Sequence, residues 1–308
     1  FVRGLPLEPL VTDLSVHARF LVALPLLLLS TQLLERQCGG AIATAYAARL
    51  AEPRELDGIL DRAEKLRDSG WVELALALGA LTIGQLGQWG IGAGPTGLFH
   101  GISRHPDWSV MRVWYGTVSF PLWQFLSARW LWRWIIWTYV LVRVSRTPLA
   151  ATAAHPDHAA GLGCFAWPLA GYLWYVGAFS SVFAGAAATQ MIDHDITVAG
   201  LAPIAAILIV AAILVGYGPL LAFTPKLYAA KRSDLARYTL LGFEYMRDFN
   251  AKWLGAPREE KLLGTPDIQS LNDIGAAFQM VLTTRLTVFA PARMKMVVVA
   301  VLLPMLPL

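Results

Sequence analysis

The chain reads FAWPLAGYLWYVGAFSSVFAGAAATQMI from Phe165 to Ile192, DHD from Asp193 to Asp195, and ITVAGLAPIAAILIVAAILVGYGPLLAF from Ile196 to Phe223. The two long runs contain no charged side chain. Each run is long enough for a helix across a hydrocarbon layer of about 30 Å, which takes about 20 residues. Neither run has the polar stripe of a helix on the surface of a soluble core. The pair therefore predicts two transmembrane helices in an all-α, polytopic helical membrane protein.

The composition of the whole chain agrees with this prediction. Of the 308 residues, 56% are hydrophobic and 15% are charged, whereas soluble domains carry about 25% charged residues. Two cysteines, Cys38 and Cys164, are too few for a disulfide framework. The chain begins at Phe1 and stops at Leu308 inside an apolar run, so we expect it to be part of a longer protein.

The apolar segments predict six spans and five parts of the chain. These are an outer segment with the first transmembrane helix (1–34), a cytoplasmic helical hairpin (35–70), a transmembrane core of four spans (71–223), a cytoplasmic amphipathic helical region (224–289) and a truncated last transmembrane helix (290–308). The third span belongs to the segment 109–146, which would be about 57 Å long as one helix. Because this is nearly twice the thickness of the bilayer core, we expect that helix to continue into the cytoplasm.

The positive charges predict the orientation in the membrane. Most of the 25 Lys and Arg residues fall in three segments, 35–70, 143–164 and 224–295. The segments on the other side of the predicted spans hold only Arg3 and Arg104. Cytoplasmic loops carry the excess of Lys and Arg, so we place the three basic segments in the cytoplasm. The net charge of +4 is explained by this sorting, and we expect the lipid bilayer rather than a nucleic acid as the partner.

A set of histidines and aspartates falls on the predicted outer side: His17, His100, His105, Asp107, Asp193, His194 and Asp195. Imidazoles and carboxylates bind zinc or manganese, and histidines also accept protons near neutral pH. If the outer loops converge, these residues predict a metal site or the mouth of a cation pathway. The alternative is that they are ordinary polar residues of interfacial loops, so the metal and any cofactor stay unknown.

A second set lies in the cytoplasmic loop HPDHAAGLG, residues 155–163. His155, Asp157 and His158 are its polar candidates. Asp157 would cap the following helix or bind a cation together with His155. The alternative is purely structural, because His-Pro-Asp forms an extended turn and the two glycines let the backbone bend.

Arg129 and Arg133 lie one helical turn apart within a run rich in tryptophan. Tryptophan marks the membrane interface, so we expect both arginines to contact lipid head groups or a loop carboxylate there. The tryptophans at 123, 130, 134 and 137 share one helix face, which favours packing or lipid contact over a binding cage.

The fragment VGYG, residues 215–218, matches the core of a potassium-filter signature. Its surroundings do not, because Leu214 replaces the expected threonine and a full-length span precedes it. We interpret Gly216, Gly218 and Pro219 as a helix break, a feature that lines cavities in transporters. The sequence contains no Walker loop, GxSxG or HExxH motif, so a membrane-embedded enzyme is a third alternative that lacks a recognisable catalytic group.

Four strings together resemble a family of uncharacterised bacterial polytopic inner-membrane proteins: Val16–Pro25, Arg129–Arg133, His155–Gly163 and Leu263–Leu271. The resemblance covers nearly the whole chain and implies a bacterial inner-membrane location, with further membrane segments at both ends. It implies no activity and no functional residues.

Two functions compete at this point. The outer His and Asp residues, the broken fifth span and the large cytoplasmic region favour a channel or transporter for a small ion, which would be monomeric or a homo-oligomer. The alternative is a non-catalytic membrane subunit that anchors or organises a larger complex and docks its partner on residues 224–289.

Overall fold

The computed structural model describes residues 14–88, 114–194, 198–255 and 264–306. Within these ranges, some residues are described by their backbone alone: 15, 84–88, 190, 193–194 and 198–199. The described chain forms helices and turns and contains no β-strand. The all-α prediction is therefore confirmed for this part of the chain.

The α-helices are named here in chain order. They are α1 (residues 14–47), α2 (Pro53–Arg67), α3 (Gly70–Gln88), α4 (residues 115–144), α5 (Leu169–His194), α6 (Val198–Tyr217), α7 (Thr224–Trp253), α8 (Pro266–Thr283) and α9 (Lys295–Leu302). Short 3₁₀ segments connect or extend them at Gly163–Ala166, Gly218–Phe223, Pro291–Met294 and Leu303–Met305.

Three helical stretches of the described chain are long and apolar enough to cross a membrane: Ala18–Ala47, Gly163–Thr189 and Gly200–Trp253. The last two contain most of the charge-free runs 165–192 and 196–223. The helix Gly70–Ile83 is apolar but shorter, α4 carries three arginines, and α9 has 8 residues. The membrane-protein prediction thus has support from three helices, and the count of six spans stays a prediction.

The surface of α6 is apolar where no other helix covers it. Ile207, Val210 and Leu214 follow one another at helical spacing and are 66%, 57% and 65% exposed. Removing apolar surface from water stabilises a protein by about 25 cal/mol per Å², so exposure of this face to water would be unfavourable. The same face is well solvated by hydrocarbon, so α6 has the surface of a lipid-facing helix.

Helices α1 and α4 share a local irregularity ahead of a proline. A π-helical stretch covers Ala18–Ala23 in α1 and Tyr115–Ser119 in α4, and each ends two residues before a proline, Pro25 or Pro121. In a regular α-helix, the proline ring clashes with the carbonyl four residues earlier and the N–H is missing. The wider turn changes the hydrogen-bond pairing just before that point, and both helices continue through their prolines.

A close contact between α1 and α5 lies at Gly171. The Ser30 hydroxyl donates to the Gly171 carbonyl over 2.8 Å, and the Gly171 amide donates to Oε1 of Gln37 over 3.1 Å. A Cβ atom on Gly171 would lie 2.8 Å from the backbone nitrogen of Leu34. Only glycine therefore lets the two backbones approach this closely, as small residues do between membrane helices.

Aromatic rings fill the space between α4 and α5. The Trp130 ring stacks on Tyr175 with 3.9 Å between centroids, and Trp134 stacks on Tyr172 at 4.7 Å. The Trp134 indole N–H also donates to the Val215 carbonyl of α6 over 3.0 Å. All four tryptophans of the aromatic stripe are buried, so the stripe serves packing.

Three segments rich in Lys and Arg meet at one end of the helices, here called the basic end: residues 35–70, 143–164 and 224–295. The Ala150 amide donates to the Leu50 carbonyl over 2.8 Å. The Ala153 amide donates to Oδ2 of Asp234 over 2.7 Å, and the Thr284 hydroxyl donates to the Ala153 carbonyl. Asp234 and Thr284 are both buried, so the three segments form one packed unit.

The segment 35–70 differs in detail from the predicted hairpin. No helix end occurs at residue 34, because Glu35 and Arg36 do not interrupt a helix and α1 continues to Ala47. The chain turns at Arg49, which has a φ of 49°, and Pro53 starts α2. The hairpin thus consists of the second half of α1 and α2.

We predict that Gly171→Ala loosens the contact between α1 and α5. The added methyl group would overpack the interface against backbone, which costs about 1–3 kcal/mol. The change should lower the midpoint of thermal unfolding in detergent micelles. Gly177→Ala on the same helix is the control, because the nearest atom to its Cβ is 4.0 Å away. Equal midpoints for the two variants would contradict the close contact.

Candidate functional site

The loop between α4 and α5 is organised around the Asp157 carboxylate. Its Oδ1 accepts from the amides of Ala159 (2.8 Å) and Gly161 (3.1 Å), and its Oδ2 accepts from the amide of Gly163 (3.0 Å). Gly163 begins the 3₁₀ segment that leads into α5. Asp157 therefore caps the 3₁₀ segment that precedes α5, and capping is one of the two roles that the sequence predicts for it.

The sequence around Asp157 permits an unusual backbone. His158, Ala160 and Gly161 all have positive φ values, of 54°, 56° and 84°. Such values are uncommon for residues with a Cβ and cost about 1–2 kcal/mol each. At Gly163 a Cβ would lie 2.9 Å from Oδ2 of Asp157. The glycines therefore fit the loop to the carboxylate, because Gly161 adopts the positive φ and Gly163 leaves room for Oδ2.

The electrostatics of the loop keep Asp157 charged. Burial raises the pKa of Asp157, but the hydrogen bonds from three backbone amides and the contact with His155 lower it by more, so that the pKa falls below its usual value. Nδ1 of His155 lies 2.9 Å from Oδ1 of Asp157 and 3.2 Å from its backbone nitrogen. A protonated Nδ1 donates to the carboxylate and an unprotonated one accepts from the amide.

A cavity of about 640 Å³ lies beside this loop at the basic end. Its charged lining consists of His155, Asp157, Arg285 and Arg293. The remaining wall is largely apolar and includes Trp167 and Phe289. Ligand pockets commonly enclose about 300–1,000 Å³ with a few polar groups on an apolar wall, and this cavity fits that description.

Arg285 is held in place from several sides. Its backbone amide donates to the His158 carbonyl over 2.9 Å, and its Nη2 donates to the Asp157 carbonyl over 2.8 Å. The preceding carbonyl, that of Thr284, accepts from Nζ of Lys231 over 2.7 Å. Among the described atoms, Nε of Arg285 is buried without a hydrogen-bond acceptor. The guanidinium of Arg285 is thus held through Nη2, and its Nε lacks a partner within the described protein.

The third polar candidate of the loop, His158, faces the end of α8 rather than the cavity lining. Its Nδ1 lies 3.1 Å from the Thr283 hydroxyl. Because its carbonyl also accepts from the Arg285 amide, His158 fastens the loop to the segment after α8. Its role is to position Arg285.

The predicted outer residues are described only in part. His17 is exposed near the start of α1, and Asp193 and His194 lie at the end of α5, described by their backbone. The other four, His100, His105, Asp107 and Asp195, lie outside the described residues. Among the side chains that the structure does describe, no group of three or more His, Cys, Asp or Glu is arranged to hold a metal ion.

The two arginines in the tryptophan run are paired with carboxylates. Nη2 of Arg129 lies 2.8 Å from Oε1 of Glu73 on α3, and Nη1 of Arg133 pairs with Oε1 of Glu35 on α1. Both glutamates are about half exposed, so each pair contributes about 0–1 kcal/mol. The expected partners were lipid head groups or a loop carboxylate, whereas the carboxylates that the structure shows lie on helices.

Of the two glycines in the VGYG fragment, Gly216 has a packing role and Gly218 lies at the helix break. A Cβ on Gly216 would lie 2.5 Å from the Tyr172 ring, and the helix changes to a 3₁₀ segment at Gly218, with Pro219 in its first turn. The Val215 carbonyl already accepts from the Trp134 indole. That carbonyl is therefore engaged within the chain, which argues against the filter interpretation and agrees with a helix break.

Three arginines with contacts in the structure are not among the residues predicted from the sequence. Arg285 and Arg293 are far from the loop in sequence and were assigned only to a basic region. Arg19 is 7% exposed in α1, and its guanidinium lies 4.9 Å from the Phe120 ring centroid and 5.5 Å from that of Trp123. The available signal was the rarity of arginine inside an apolar helix. Arg19 links α1 to α4 through these rings.

Comparison with protein-family models, curated proteins and solved structures finds no match to the chain.

We predict that Asp157→Asn disorganises the loop. The asparagine NH₂ group would replace one carboxylate oxygen and face a backbone N–H, which leaves a donor without an acceptor and costs about 1–3 kcal/mol. The midpoint of thermal unfolding in detergent micelles should fall. Asp248→Asn, at a side chain that is 76% exposed, is the control. A midpoint as high as that of the control would refute the capping role.

The lowered pKa of Asp157 also predicts a pH dependence. Because the folded pKa lies below the unfolded value of about 3.9, the charged carboxylate stabilises the fold at any pH above that value. This contribution is lost as the pH falls through the folded pKa. Stability in Asp157→Asn should therefore fall less steeply below about pH 4 than in the original chain. Parallel curves for the two proteins would contradict the expectation.

Proposed function

We propose that the chain is a polytopic protein of the bacterial inner membrane, with six spans and with the basic end in the cytoplasm. Three helices of sufficient length and apolarity support the membrane location. The meeting of all three basic segments at one end supports the orientation, because the positive-inside rule requires them to share one side. The resemblance to a family of bacterial inner-membrane proteins supports the same location.

The proposed cytoplasmic part contains amphipathic helices. Helix α2 buries Leu56, Ile59 and Ala63 and turns its charged residues outward. Helices α7 and α8 pack on each other and join at Asp267, which accepts from the Trp253 indole over 3.0 Å and pairs with Lys252 at 2.9 Å. Charged faces of this kind suit water rather than hydrocarbon.

We further propose that the protein is a channel or transporter for a small ion. The observation that carries this proposal is the cavity at the basic end. It lies beside the helix break after α6. Arg293 lines the cavity, and its carbonyl accepts a hydrogen bond over 3.0 Å from the hydroxyl of Tyr217, the last residue of α6. Transporters place their sites at interrupted helices, and a cavity lined by fixed charges at one end of a bundle suits the entry or exit of an ion.

Flux into proteoliposomes tests this proposal. The purified chain should give reproducible ion flux, and His100→Ala combined with His194→Ala should abolish it if the outer residues form the opposite mouth. Arg293→Gln should alter the flux, because it removes a charge from the cavity lining. Arg247→Gln is the control, since the Arg247 side chain is 76% exposed on α7. Absence of flux from all preparations would contradict the proposal.

A specific observation favours the second function, a subunit that anchors or organises a complex. On α7, Leu240 and Phe243 are 65% and 72% exposed, and Phe243 lines an apolar groove of about 320 Å³ between α7 and α8. A partner subunit or a second copy of the chain would cover this groove. Stoichiometric co-purification that is lost in Phe243→Glu and kept in Arg247→Gln, without ion flux, would favour this function.

A further inference from the structure

The cavity at the basic end is lined by more positive than negative charge. Arg285 and Arg293 line it beside a single carboxylate, that of Asp157, and neither arginine forms an ion pair with Asp157 among the described contacts. Both oxygens of Asp157 are instead engaged by three backbone amides of its own loop. The two guanidinium groups are therefore available to a negatively charged group in the cavity.

The donors at this site match an oxyanion. The guanidinium of Arg285 is held through Nη2, and its Nε is buried without an acceptor in the described protein. A buried donor without an acceptor is unfavourable, and Arg285 lines the cavity, so binding of an acceptor beside its guanidinium is favoured. Guanidinium groups bind phosphate oxygens through parallel hydrogen bonds. His155 adds a ring on the same wall.

The position of the cavity indicates from where an anionic ligand can reach it. Trp167 lines the cavity just before α5 begins, and it is 44% exposed. The Trp167 ring also lies close to α1, because a Cβ atom added to Gly40 would be 3.6 Å from the ring. Tryptophan at the start of a membrane helix marks the depth of the lipid head groups. The arginines therefore lie where a phosphate can arrive from the cytoplasm or from the lipid surface.

We infer that this cavity binds a phosphate group, with Arg285 and Arg293 as its ligands. The phosphate belongs either to a soluble ion or to the head group of an anionic phospholipid, and the site chemistry is the same for both. The inference deepens the proposed transport function, since it names the ligand class of the same cavity. Binding is nevertheless measurable without flux.

Two probes distinguish the sources with the full chain. Inorganic phosphate is titrated calorimetrically into protein in uncharged detergent. In parallel, the midpoint of thermal unfolding is compared between nanodiscs of phosphatidylcholine alone and nanodiscs that also contain phosphatidylglycerol. Heat of binding indicates a soluble phosphate, and a higher midpoint with phosphatidylglycerol indicates a lipid head group.

Arg293→Gln is the main variant, because Arg293 is exposed and its carbonyl contact with Tyr217 does not involve the side chain. We expect it to weaken binding of the active probe by about tenfold, as loss of one charge-assisted hydrogen bond does. Arg285→Lys keeps the charge but loses the planar fork, and should weaken binding as well. Arg247→Gln on α7 should bind as the original chain does.

The inference is overturned if neither probe acts, or if Arg293→Gln and Arg247→Gln respond alike. Its failure is distinguishable from failure of the transport proposal. Phosphate binding without ion flux would support the phosphate site and contradict the transport proposal. Ion flux together with an unchanged phosphate response in Arg293→Gln would support transport and contradict the phosphate site.

Discussion

Hydrocarbon cannot hydrogen-bond a polar group, and this constraint accounts for the distribution of polar residues in the molecule. A helix satisfies its own backbone, so it can expose an apolar face such as that of Ile207 and Leu214 on α6. Several charged side chains of the long helices have partners inside the protein. Arg19 lies among aromatic rings and Arg133 pairs with Glu35. Most of the remaining charges in the described chain lie on the amphipathic helices α2 and α7, at the basic end.

The basic end is organised by one carboxylate. Asp157 uses both oxygens to hold three amides of its own loop, which fixes the carbonyls of Asp157 and His158. Those two carbonyls then position Arg285, the first through the guanidinium and the second through the backbone amide. A local motif of nine residues thus determines where a distant arginine lies. The cavity is a consequence of the motif rather than a separate feature.

The sequence predicts those parts of the structure that depend on neighbours along the chain. The two charge-free runs, the helix break at Gly218 and the turn around Asp157 all follow from local composition. It does not predict that Arg285 lies against that turn, because the contact joins residues 128 positions apart. Nor does it predict that α1 continues past residue 34. The charge of Glu35 indicates the end of a membrane span, but a charged residue does not end a helix. Of the outer histidines and aspartates, only His17 has a described side chain, and their convergence stays a prediction.

The central claim is that lipid surrounds the helices and that all three basic segments share one side of it. Thiol accessibility in spheroplasts tests this most directly, with single cysteines introduced after Cys38 and Cys164 have been replaced by serine. Glu55→Cys, Arg146→Cys and Asp248→Cys should react with a membrane-impermeant reagent only after permeabilisation. His100→Cys and His194→Cys should react in intact spheroplasts. Reaction of His100→Cys and His194→Cys from opposite sides, or of Glu55→Cys and Arg146→Cys from opposite sides, would contradict the account.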